Sequence, residues 1–66
     1  MWTVVYVAPN REVGEKLKGR LEGEGLLVVL RPTGVTTDKG NSNYELLVPK
    51  SEVHEAHEAL STWLGR

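Results

Sequence analysis

The chain has 66 residues, 39% of them hydrophobic, with eight basic and nine acidic side chains for a formal charge of −1, and no cysteine. That length holds one small domain, spanning 1–66. The missing cysteines exclude a disulfide scaffold, a thiolate zinc site, an iron–sulfur cluster and a cysteine nucleophile, and the near-neutral balance disfavours a dedicated nucleic-acid binder.

The apolar runs at 4–9 and 26–30 fall far below the roughly 18 residues of a membrane span, so no membrane partner is expected. Met1 runs into an apolar stretch with no basic segment before it, which makes the cytoplasm the expected address. At about 60 residues, folding removes only about 60% of the unfolded chain's surface from water. Self-association is a natural way to add buried area.

The segment Trp2 to Val7 is rich in β-branched and aromatic residues and is closed by Pro9, which predicts the first strand. Both of its faces are apolar, so a cover is expected on each side. Asn10 is placed to cap a helix in which Val13, Leu17 and Leu21 recur every four residues. That helix should end near Gly23 to Gly25. Gly14 and Gly19 are costly inside it, and close packing on a sheet would account for Gly14.

Leu26 to Leu30 is a short continuous apolar run, the pattern of a buried strand. Thr33 to Asn43 is polar and aperiodic and is predicted to be a loop. Tyr44 to Val48 restores strand character until Pro49, and Ser51 can cap a second helix with its stripe at Val53, Ala56, His57, Leu60, Trp63 and Leu64.

The order is β-α-β-β-α. A crossover helix joins parallel strands, and the second and third strands can form a hairpin. The expected fold is therefore α+β: a ferredoxin-like split βαβ arrangement lacking its last strand, with an antiparallel or mixed three-stranded sheet ordered 1-3-2 and both helices on one face. The first strand then becomes an open edge, and the face away from the helices has no cover within the chain. An exposed apolar face of that kind marks an interaction site. A homo-oligomer joined through that face or edge is expected, with Trp2, Val4 and Tyr6, or their alternating neighbours, at the interface.

The stretches WTVVYVAPN (2–10), LLVVLRPTG (26–34) and ELLVPKSEVHEAHEAL (45–60) resemble the small prokaryotic signal-transducing proteins, a family of unknown biochemical function related in fold to the PII-like nitrogen-regulatory proteins. The resemblance covers nearly the whole chain. It implies a ferredoxin-like fold, a regulatory role and no enzyme activity. Relative to true PII-like proteins, a final strand is missing, and the loop at 33–43 is shorter and lacks a tyrosine for modification. Gly34 and Gly40 lie in a hairpin connection rather than before a helix, so binding of ATP or 2-oxoglutarate does not carry over, and no cofactor is expected.

Three sets of residues carry chemistry worth weighing. His54, His57 and Glu58 have metal-ligand side chains at helical spacing, but Glu58 stands where a zincin motif needs a histidine. An ordinary solvated helix is the bland alternative to a weak divalent-metal site. Trp2 or Tyr6 with Tyr44 could mimic the base-stacking aromatics of an RRM sheet. Against that stand the absent basic, glycine-aromatic signature and the charge distribution: six basic against five acidic residues in 1–40, two against four in 41–66. Arg31, Thr33, Thr36, Thr37, Asp38, Lys39 and Asn41 could converge at the hairpin loop to contact a small-molecule effector or a partner protein. No arrangement for nucleophilic or general acid/base catalysis is present, and the expected function is a non-enzymatic, regulatory binding module.

Overall fold

The computed structural model describes the backbone of residues 1–36 and 42–64, and the side chains of these except at 35 and 36. The elements run β1 (Trp2–Ala8), α1 (Arg11–Gly23), β2 (Val29–Thr36), β3 (Ser42–Pro49), a 3₁₀ turn (Lys50–Glu52) and α2 (Val53–Leu64). The strands form one sheet in the order β1-β3-β2. Both neighbours run antiparallel to β3. β1 and β2 are therefore parallel to each other and both are edges. Among the described residues this is the α+β, ferredoxin-like arrangement without a fourth strand that the sequence leads one to expect.

Local chemistry explains the ends of α1. Asn10 is extended, and its Oδ1 accepts a hydrogen bond from the Val13 N–H at 2.9 Å, which satisfies one of the unpaired donors of the first turn. At the other end Gly25 has φ of +90°, its N–H donates to the Glu22 carbonyl, and the Leu26 N–H donates to the Leu21 carbonyl. This is a Schellman closure, and its two flanking side chains, Leu21 and Leu26, are both core residues.

The core is one cluster between the sheet and the helices. Leu17 and Leu21 of α1 and Ala56 and Leu60 of α2 meet Ala8, Leu46, Val48, Leu26 and Val28, with Val5, Tyr6, Leu30 and Trp63 packed around them. Because residues from both helices share that cluster, both helices cover the same sheet face. The result is a two-layer plate measuring 33 × 29 × 16 Å. Gly14 seats α1 closely on the sheet: a Cβ built there would stand 2.7 Å from Leu30 Cδ1.

Several boundaries differ from the sequence reading, and β3 begins at Ser42, two residues before the expected Tyr44. The strand expected over Leu26 to Leu30 instead begins at Val29 and continues to Thr36, into the segment read as loop. Leu26 and Val28 still enter the core, but the Leu27 N–H donates to Glu52 Oε1 at 2.9 Å rather than to a strand. Pro32 is tolerated because β2 is an edge. The pairing with β3 is interrupted between Pro32 and Thr36, where Gly34 takes φ of +90°. Likewise Ser51 is not the cap of α2. It lies exposed within the 3₁₀ turn, and α2 begins two residues later.

Candidate interaction surface

The alternation of side chains along β3 separates the two faces of the sheet. Leu46 and Val48 belong to the helix-side core, so Leu47 between them points to the opposite face. Leu47 is nevertheless only 4% exposed. Its cross-strand partners are Val4 on one side and Val29 on the other. These three residues form an apolar row across the full width of the sheet, with the two valines sheltering the leucine.

The row extends in both directions. Trp2 stands opposite Pro49, and Val7 stands opposite Glu45, which also pairs with Arg31. Arg31 Nε reaches Glu45 Oε1 at 2.9 Å and closes one end of the patch with an ion pair. Trp2 is 49% exposed, Val7 47%, Val29 40% and Val4 39%. Among the described residues no helix covers this face.

A β-bulge decides which side chains of β1 reach it. Val4 opposes Leu47, but Tyr6 opposes Leu46, so the register shifts between them. Val5 and Tyr6 both pack against the helix-side core. Of the expected interface residues, Trp2 and Val4 lie on the uncovered face, while Tyr6 does not share it. Val7 takes the place that strict alternation gives to Tyr6. Val29 and Leu47 are face residues that the sequence reading did not single out, although the unbroken apolar run Leu46-Leu47-Val48 signals a strand apolar on both sides.

Tyr44 also lies on the helix side. It pairs with the fully buried Ala8, and its Cβ is 3.4 Å from a Cβ built at Gly14. With both tyrosines turned away, Trp2 is the aromatic side chain left on the uncovered face, and the pair needed for an RRM-like stacking platform is not assembled there.

Tyr44 instead helps to line a groove of about 560 Å³ with Leu30, Pro32 and Gly19. Its rim is made of two ion pairs on α1, Arg11–Glu15 at 2.8 Å and Lys18–Glu22 at 2.9 Å. Hydrogen bonding to Glu15, reinforced by its charge, raises the Arg11 pKa. Each cation of the rim is thus matched by a carboxylate on the same helix. A second groove, of about 380 Å³, runs between the end of α1 and α2, lined by Glu24, Glu55, Glu58 and Trp63. The Arg20 guanidinium stacks 5.3 Å from the centre of the Trp63 ring.

The remaining candidate residues are scattered. His54 Nε2 lies 3.1 Å from Glu58 Oε2, both side chains well exposed, and His57 is exposed beside them. No group of three His, Asp or Glu side chains able to hold a metal ion occurs among the described residues. Arg31, Thr33 and Thr36 belong to β2. Thr37, Asp38, Lys39 and Asn41 lie outside the described residues. Among the described residues no polar or charged residue is buried, and no helix is long and apolar enough to cross a membrane.

Comparison of the chain with protein-family models, with curated proteins and with solved structures finds no match.

Proposed function

We propose that this chain is a non-enzymatic binding module that works as a homo-oligomer, held together through the uncovered face of its sheet. One observation carries this reading: the row Val4–Leu47–Val29, flanked by Trp2 and Val7, presents a continuous apolar strip on the side of the plate that, among the described residues, bears no helix. Sheets that bury a second face stack about 10 Å apart, and two copies placed face to face make a four-layer α/β/β/α body with the two apolar strips between the sheets. The Arg31–Glu45 pair gives each copy a polar rim on that face.

A standard interface takes roughly 800 Å² from each partner. That is under a fifth of the 4437 Å² accessible surface of one copy. The regulatory part of the reading follows from the resemblance to small prokaryotic signal-transducing proteins, with the segment at 33–43 as the contact for an effector or partner protein. Sedimentation equilibrium of the wild type and of Val29→Lys tests the assembly. The wild type should form a multiple of the 7.3 kDa chain, and the lysine variant should lose the face contact. A wild type that remains a 7.3 kDa monomer throughout the micromolar range overturns the proposal.

A further inference from the structure

The two edges of the sheet are built differently. β2 carries Arg31, Pro32 and Gly34, and its pairing is interrupted after Pro32. Charge, proline and irregularity are the devices that keep an edge strand from recruiting another strand. β1 has none of the first two. Its seven residues, Trp2 to Ala8, include no charged side chain and no proline, and its one irregularity is the single-residue bulge between Val4 and Tyr6. In a β1-β3-β2 sheet this edge is where the fourth strand of a ferredoxin-like plan would lie.

We propose that β1 pairs antiparallel with β1 of a second copy, edge to edge. This rests on the homo-oligomer reading above and adds to it a second, separate contact. The occupant is a second copy because the edge is self-complementary. Two identical uncharged strands related by a two-fold axis perpendicular to the sheet match in length and set no like charges against each other. The product is a six-stranded sheet in the order β2-β3-β1-β1-β3-β2. The two uncovered faces then lie on the same side, with Trp2, Val4 and Val7 of both copies meeting at its centre. The strip described above doubles in width, which enlarges the area available for stacking. The N–H groups of β1 that point away from β3, which have no backbone partner among the described residues, gain carbonyl partners on either side of the bulge.

Amide hydrogen exchange on ¹⁵N-labelled wild-type protein, followed residue by residue from dilute to concentrated solution, tests the edge. The outward N–H groups of β1 should slow at least about tenfold as the oligomer forms, whereas those of β2 should not change. Face stacking alone leaves the β1 edge in water. An oligomer whose outward β1 amides exchange as fast as in dilute solution therefore overturns the edge contact and leaves the face contact standing. A chain that never associates overturns both. Since the wild type has no cysteine, single-cysteine variants at positions 3 to 7 supply a second readout. Disulfide-linked dimer should peak sharply at the one position on the two-fold axis, where paired Cα atoms approach within disulfide reach. A flat yield along the strand counts against antiparallel pairing.

Discussion

Val4 stands directly opposite Leu47 across the β1–β3 ladder, yet Val4 is 39% exposed and Leu47 only 4%. The difference arises from position in the sheet: Leu47 is on the central strand with a valine on each side, and Val4 is on an edge. The two should therefore respond differently to substitution. Val4→Lys leaves the helix-side core untouched, and its long side chain can reach water, so stability should change by less than about 1 kcal/mol. Leu47→Ala removes a buried side chain from between Val4 and Val29 and should cost about 2 kcal/mol or more. Urea denaturation of the two variants, run beside sedimentation, separates the effects: Val4→Lys should lose the face contact with the fold retained. Equal losses of stability would contradict the geometry.

The caps of the two helices offer a second contrast. Asn10 Oδ1 holds the Val13 N–H at the start of α1, and Asn10→Ala should cost about 1 kcal/mol. Ser51 looks equally suited to capping in the sequence, but it is exposed inside the 3₁₀ turn. Ser51→Ala should stay within about 0.5 kcal/mol of wild type. Thermal unfolding followed by circular dichroism resolves the pair.

Glu52 makes the hydrogen bond that ties the entry of α2 to the approach of β2, accepting from the Leu27 N–H at 2.9 Å. Glu52→Ala leaves that donor to water at the surface and should cost about 1 kcal/mol. Glu52→Gln keeps an acceptor oxygen in the same place and should recover much of the loss. In hydrogen exchange, the Leu27 amide should lose protection selectively in the alanine variant. If the Leu27 amide exchanges equally fast in all three proteins, the hydrogen bond does not form in solution.

The strand order and helix placement were legible because each element announces itself locally. β-branched runs closed by Pro9 and Pro49, an asparagine before a four-residue stripe, and glycines at 23 and 25 are signals contained within a few residues. What could not be read depends on partners distant in sequence. The bulge that turns Tyr6 inward and brings Val7 out is a property of the β1–β3 register, and one extra residue reverses every later side chain. Ahead of the late start of β2, the Leu27 N–H is held by Glu52, 25 residues away in sequence. The uncovered face itself was foreseeable from the apolar alternate positions of β1, but its central residue, Leu47, was hidden inside a run that reads equally well as core. Of the residues expected to contact an effector at 33–43, Thr37, Asp38, Lys39 and Asn41 fall outside those described.

Gly14 and Gly19 both interrupt α1, at the same intrinsic cost of about 1 kcal/mol relative to alanine, but their surroundings differ. A Cβ at Gly14 meets Leu30 Cδ1 at 2.7 Å and Tyr44 Cβ at 3.4 Å, whereas a Cβ at Gly19 meets nothing within 4 Å. Gly19→Ala therefore gains helix propensity without a steric penalty and should stabilise the fold by about 0.5–1 kcal/mol. At Gly14 the same gain is offset, because the end of the Leu30 side chain must move. Gly14→Ala should come out near neutral or slightly destabilising. Gly14→Val must push α1 away from the sheet and should cost about 1–3 kcal/mol. Urea midpoints should thus rank Gly19→Ala above wild type and Gly14→Val below it. A Gly14→Ala variant as stabilised as Gly19→Ala would show that α1 does not rest on Leu30 as closely as the structure places it.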